Sequence, residues 1–306
     1  MRCTNCWGMI YRFEQVDVFT EERFAGNPLA VFTDAAGLTG EQMQLIAREM
    51  NLSETTFVVA PTNPACVARY HIYTPGRELP FAGHPTLGTA FVLARAGRVA
   101  AGTREFNLEA KAGVIPIRLS GETASPRALF FTIPEVVFGP KYENRERLAD
   151  ALNVKPADLL AGAPLEQIGC PVLHLTIGLN TPADVDRVVL HGPLLERLLG
   201  DEECDGVYAF APTSTPNHFY CRLLCFENVG VVEDPATGSA AGPLGAYLVR
   251  YGLASGGDLV EIEVSQGVKM GRPSTLHVLV HRDGPQARCV EVGGSAVFVL
   301  RGELEI

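Results

Sequence analysis

The sequence predicts an α+β protein of two pseudo-symmetric lobes, each a curved sheet wrapped around one buried helix. Three observations carry this. Residues 84–96 and 240–251 are apolar on every side, as a helix enclosed by other structure is. Each follows a glycine, Gly83 or Gly238, and setting Gly83-His84 on Gly238-Ser239 also aligns Pro80 with Pro235 and a strand carrying Arg69 with one carrying Arg222. Short β-branched and aromatic runs fill the intervals, as strands do. One such unit in each half of 306 residues points to duplication, with a site between two lobes.

Taken in order, residues 11–19 and 27–32 read as strands flanking a Gly26-Asn27-Pro28 turn. Thr39 can cap a helix in which Met43, Ile46, Ala47 and Met50 fall at helical spacing. Residues 55–60 form the next strand, leaving Glu54 at a helix-to-strand junction, and residues 66–74 form another. A loop over 75–83 leads into the first buried helix. Segments 113–119, 128–133 and 171–177 read as strands, with one or two short helices between residues 144 and 160. The turn-rich stretch 120–126 marks the lobe boundary. A strand over 219–226 and a loop over 227–233 lead into the second buried helix.

Lys plus Arg number 25 against 35 Asp plus Glu, a net charge of −10, the wrong balance for a partner of nucleic acid or anionic lipid. With 47% hydrophobic and 20% charged residues the chain is an ordinary folded protein. It lacks the ~20-residue apolar run of a membrane span and opens with no leader pattern, so the cytoplasm is the expected location. Eight cysteines are too dilute for a disulfide scaffold, and Cys66, Cys170 and Cys221 sit in apolar segments as small hydrophobes. The Cys3-x-x-Cys6 pair has no second ligand pair at zinc spacing and reads as incidental. Residues 1–8 read as an extension.

A buried helix that opens on glycine leaves N–H groups free at the positive end of its dipole, a seat for a carboxylate or phosphate. Two such mouths on one cleft would hold a small acid at both ends, which makes Gly83 and Gly238 substrate-binding candidates. The plain alternative is that both only permit tight turns. His84 and Ser239 take the first helical positions, where Ser is a common cap and His is not. As a matched pair, with Asp234 five residues ahead of Ser239, they read as site residues. Glu54 has hydroxyl and apolar neighbours and no basic residue until Arg69. Buried there, its carboxyl would rise toward neutrality, as a group that takes and returns a proton requires. A capping or solvent-facing Glu is the alternative. His174, His191, His218, His277 and His281 lack metal-ligand spacing, and no phosphate loop, serine elbow or dinucleotide fingerprint is present, so neither metal nor cofactor is expected.

The strings at 16–32 (VDVFTEERFAGNPLAVF), 51–58 (NLSETTFV), 73–90 (YTPGRELPFAGHPTLGTA), 233–248 (EDPATGSAAGPLGAYL) and 266–274 (QGVKMGRPS) resemble the PhzF phenazine-biosynthesis isomerase family. They span nearly the whole chain in order. The resemblance implies a diaminopimelate epimerase-like fold, with β-barrel-like lobes around central helices. Families of this fold can return their last strand to the first lobe, which places 296–306 with an N-terminal lobe of 9–122, beside a C-terminal lobe of 123–295. In the phenazine enzyme a Glu is the acid/base that moves a proton along dihydro-3-hydroxyanthranilate; here it is Glu54. The family's Gly-His matches Gly83 and His84, its Asp matches Asp234, and its Gly-Ser matches Gly238 and Ser239. The implied substrate is a small carboxylate, and the implied assembly is a homodimer. Epimerases of this fold use a cysteine at each helix mouth, where this chain has His84 and Ser239. Two competing readings remain: a small-acid-binding or interaction protein that has lost turnover, and an amino-acid epimerase with a second base opposite Glu54.

Overall fold

The computed structural model describes residues 8–170, 172–200, 204–226 and 232–306. The Cys3–Cys6 pair, the extension up to residue 7 and residues 227–231 of the expected loop lie outside the described residues.

In the first lobe β1 (Ile10–Val18) and β2 (Asn27–Phe32) are antiparallel, and β2 runs parallel to β3 (Glu54–Val59). Between them lies α1 (Gly40–Met50), opened by a reciprocal cap in which Gln42 N–H donates to Thr39 Oγ1 and Thr39 N–H donates to the Gln42 side chain. Its buried stripe is Met43, Ile46 and Ala47, as the spacing predicts. β4 (Cys66–Tyr73) alternates buried and half-buried residues and pairs with β3, with the short β5 (Glu78–Leu79), which the sequence reads as loop, and with β6 (Glu105–Ala110). β7 (Gly113–Glu122) and β8 (Ser125–Thr132) complete the wall. Inside it runs α2 (Gly83–Arg95), buried from Gly83 through Ala94.

A connecting stretch, β9 (Val137–Tyr142) and α3 (Arg145–Ala151), leads to β10 (Leu165–Gly169), β11 (Leu173–Gly178), and the outer helices α4 (Pro182–Arg187) and α5 (Gly192–Leu199). The first lobe's plan then repeats. β12 (Gly206–Pro212) pairs with β13 (His218–Cys225), which carries the short β14 (Glu233–Asp234) and runs parallel to β15 (Leu259–Gln266). β16 (Ser274–Asp283) and β17 (Gln286–Gly294) close around α6 (Gly238–Arg250). The expected duplication is present as the same order of strands, the same parallel pairings and one 13-residue helix per lobe.

The strand carrying Arg69 does correspond to the one carrying Arg222, and the register adds the residue match: Tyr73 pairs with Glu78 as Leu224 pairs with Glu233, so the residue matching Arg222 is His71. The connection after β13 is longer than the one after β4, and a gapless superposition cannot absorb the difference. Each matched residue holds its lobe's equivalent acid: His71 Nδ1 lies 2.9 Å from Glu78 Oε1, and Arg222 grips Glu233 at 2.9 and 2.8 Å.

β17 pairs with β8, joining the walls of the two lobes. The last strand, β18 (Ala296–Glu305), pairs with β1 along its length, from Ala296 opposite Val18 to Glu305 opposite Ile10. One continuous core contains both central helices, and a second lies beneath α3, α4 and α5.

Candidate active site

Glu54 is placed by the end of α1. Asn51 takes a left-handed backbone (φ 51°) and its N–H donates to Ala47, which stops the helix and lets β3 begin three residues later. Beside Leu29 of β2, the Glu54 side chain is mostly buried, and its Oε2 lies 3.4 Å from Nε2 of His84, the second residue of α2. The two atoms touch without hydrogen-bond geometry, and neither has another partner among the described residues.

The mouths of the two central helices meet at Gly83 and Gly238. A Cβ on Gly83 would lie 3.0 Å from Gly238 Cα, 3.0 Å from the Phe131 ring and 3.2 Å from Ser239 N. Neither glycine has a positive φ, so glycine is favoured here by close packing rather than by a tight turn: at Gly83 by the opposing backbone and the Phe131 ring, at Gly238 by the Phe131 ring 3.1 Å from where a Cβ would stand. Neither flanking residue, Ala82 or Thr237, caps its helix with a side chain. The opening N–H groups, those of Gly83, His84, Gly238 and Ser239, therefore converge with both positive dipole ends, an arrangement suited to an anion.

Thr237 does not cap because its hydroxyl donates to Asp234 Oδ2. The other Asp234 oxygen accepts from Asn27 Nδ2 at 2.8 Å, and the same amide nitrogen donates to the Ala236 carbonyl at 3.0 Å. Gln266 Nε2 donates to the Asp234 carbonyl and to Thr237 Oγ1, while Gln266 Oε1 accepts from the Tyr208 hydroxyl. Asn27 Oδ1 accepts from Ser53, the residue before Glu54. A polar chain thus crosses from the residue before β3 in one lobe to β14 of the other.

Burial sets the ionisation of the three central groups. Glu54 is pushed up to about 8 by desolvation and by the negative charge of Asp234, with the Ser53 hydroxyl acting in the opposite direction. Asp234 rises to about 6 through desolvation, restrained by the Thr237 and Asn27 donors, with the nearby Glu233 adding to the rise. His84 falls to about 3 because burial disfavours its cation, although a hydrogen bond to the Pro28 carbonyl opposes this. The His84–Glu54 contact is therefore not an ion pair. Burial favours the neutral form of both partners, the imidazole without its second proton and the carboxyl with one.

A family model described as phenazine biosynthesis-like protein, PhzC-PhzF, matches residues 16–302. The chain belongs to the PhzF family. Trans-2,3-dihydro-3-hydroxyanthranilate isomerase of Pseudomonas aeruginosa is 37% identical over 300 residues, 96% of this chain and 99% of the relative. The crystal structure of a PhzF family protein from Bacillus anthracis has a TM-score of 0.87 at 25% identity, covering 97% of this chain and 100% of the other. A hydroxyproline epimerase from Agrobacterium vitis, at 11% identity, TM-score 0.65 and coverage of 98% and 92%, shares the fold alone. Most of these relatives are named isomerases, and this PhzF protein is an isomerase with the expected diaminopimelate epimerase-like fold.

All six residues singled out in the sequence, Glu54, Gly83, His84, Asp234, Gly238 and Ser239, meet at the junction of the two lobes. Asn27, Pro28, Ser53, Thr237 and Gln266, which hold them in place, carry no functional mark of their own in the sequence, where Asn27 and Pro28 read only as a turn. Each nevertheless lies within a string that carries the family resemblance. Among the described residues no three His, Cys, Asp or Glu side chains are grouped as for a metal ion, and no helix is long and apolar enough to cross a membrane. The six described cysteines are free.

Proposed function

We propose that this PhzF protein is a cofactor-independent isomerase that moves a proton on a small unsaturated carboxylate resembling trans-2,3-dihydro-3-hydroxyanthranilate, in the cleft between the lobes. The observation that carries the reading is a buried carboxyl, Glu54, poised at about 8 beside two open helix mouths. In this reading the N–H groups around Gly83 and Gly238 hold the substrate's carboxylate. Glu54 as carboxylate takes a proton from carbon, the electron pair stays in the substrate's conjugated system, and Glu54 returns the proton at another carbon. Nothing is oxidised or reduced. A group poised near neutrality can both take and return a proton, which a carboxyl near its ordinary value of 4.5 does poorly. His84, neutral, orients Glu54. Asp234 and Ser239 receive the substrate's amino or hydroxyl group.

The first lobe is taken to include 296–306, which the β1–β18 pairing supports, and to end after β8 rather than at 122, because β8 pairs with β7 in the same wall; the second lobe follows up to 295. A homodimer in the cytoplasm completes the proposal; light scattering on the purified protein tests the assembly.

The deciding experiment incubates the protein with trans-2,3-dihydro-3-hydroxyanthranilate in D₂O and follows deuterium incorporation by mass spectrometry, with Glu54→Gln beside it. Label that appears only with the unsubstituted protein supports the reading. Substrate that binds and gains no label with either protein favours the small-acid-binding alternative.

A further inference from the structure

Asn27 is fully buried, and its corner of the first lobe is fastened to the second. Arg272 donates to the Gly26 and Ala25 carbonyls and to Asp17, and Gly26 N–H donates to the Pro273 carbonyl. From this fixed base the Asn27-Pro28 dipeptide reaches three site residues. The Pro28 carbonyl accepts from His84, Asn27 Oδ1 accepts from Ser53, and Asn27 Nδ2 donates to Asp234. We infer that Asn27 is a positioning residue that decides where the single proton of the Glu54–Asp234 pair resides, keeping it on Glu54.

The argument follows the donors. Ser53 O–H is directed at Asn27 Oδ1, which leaves the amide nitrogen facing Asp234 as a pure donor. Gln266 Nε2 donates to Thr237 Oγ1, so the Thr237 hydrogen is also turned toward Asp234. Both Asp234 oxygens therefore meet hydrogens, the arrangement a carboxylate wants and a carboxylic acid does not. At the other end the hydrogen bond to Pro28 occupies the N–H of neutral His84, leaving a lone pair on Nε2. Glu54 Oε2 faces that lone pair and is better placed as O–H than as O⁻.

The other titratable groups around the pair do not supply this preference. Glu233 on β14 is gripped by Arg222, and Cys225 on β13 and Tyr208 on β12 are pushed further up by burial and stay neutral.

This inference rests on the proposed proton transfer for its effect on rate, while its titration rests on geometry alone. The test is carboxyl ¹³C NMR of protein labelled at Asp and Glu, assigned with Asp234→Asn and Glu54→Gln, on the unsubstituted chain, Asn27→Leu and Ser53→Ala. In the unsubstituted chain the Asp234 signal should follow the lower step and Glu54 the upper. Asn27→Leu, similar in shape but without the donor, should raise the Asp234 step by about one unit, tenfold in its ionisation constant, and make both signals respond to both steps. Ser53→Ala, which unpins the amide and also removes the hydroxyl that holds Glu54 down, should move the Asp234 step the same way by less and the Glu54 step upward. Unchanged titration in whichever of the two variants folds overturns the inference. An inactive protein with the expected titration would instead overturn the isomerase reading and leave Asn27 its role. In an active protein Asn27→Leu should carry the lower limb of the kcat/KM profile upward in pH together with the Asp234 step, with KM little changed, because what is displaced is the proton rather than the substrate's seat.

Discussion

Glu54 and Gly206 occupy the same place in the two lobes. Each opens a strand whose next residue, Thr55 or Val207, pairs with a matched partner, Tyr73 or Leu224. Asp234 in turn matches Leu79, since Leu223 pairs with Asp234 as Ile72 pairs with Leu79. The duplicated halves thus contribute one carboxylate each, from different positions. A side chain at Gly206 is excluded by the Leu224 carbonyl, 2.3 Å from where a Cβ would stand. The proposed proton shuttle is one-sided, unlike an epimerase with opposed bases.

Glu54→Gln should reduce turnover by roughly 10²–10⁴-fold with KM changed only a few-fold, because the amide preserves the shape and can donate to His84 Nε2. In the unsubstituted protein kcat/KM should climb with pH through apparent steps near 6 and 8, as Asp234 and then Glu54 lose their protons, and flatten above. Stopped-flow measurement from about pH 5 to 9 checks both limbs. An upper limb that persists in the residual activity of Glu54→Gln would assign it elsewhere.

The same carboxyl predicts a pH-dependent stability. Its folded value of about 8 lies above the ordinary 4.5, so the folded protein holds a proton that the unfolded chain has released. The stabilisation is complete below about 4.5 and is lost as pH rises through about 8. Glu54→Gln lacks this dependence, and its Tm relative to the unsubstituted protein should increase steadily over that window, which calorimetry at several pH values reads directly.

Gly83→Ala should wedge the helix mouths apart. With Gly238 Cα and the Phe131 ring both 3.0 Å from the new methyl, a cost of ~1–3 kcal/mol in stability is expected. Activity should fall more than stability alone explains, since the N–H groups of both helices shift together. Chemical denaturation beside steady-state kinetics separates the two effects.

Arg222→Met leaves Glu233 buried without its bidentate partner and removes donors to the Val185, Asp186 and Val188 carbonyls. A loss of ~3–5 kcal/mol is expected, partly recovered in the Arg222→Met/Glu233→Gln double variant. Equal denaturation midpoints for the single variant and the unsubstituted chain would refute this.

The helix mouths were legible in the sequence because an all-round apolar helix can only be buried, and its first residues then have few places to face. The place of Glu54 at a junction was legible in the residues, while its choice over a capping Glu came from the family resemblance. Asn27 was not, because its partner Asp234 lies 207 residues away and no local pattern announces a side-chain bond across lobes. β9 was equally hidden: Gly139 and Pro140 stand inside it, and it becomes a strand only by pairing with β10. The match of His71 with Arg222 needed the strand register, which a loop of different length conceals.

The pairing of β18 with β1 also sets an order of events during synthesis. The ribosome releases residues 296–305 after the whole second lobe, so the half that carries Glu54 waits with an open edge along β1 while its neighbour is already closing. The oldest part of the nascent chain is the last to be sealed, and a stall or cut shortly before residue 296 would injure the lobe farthest from it in sequence.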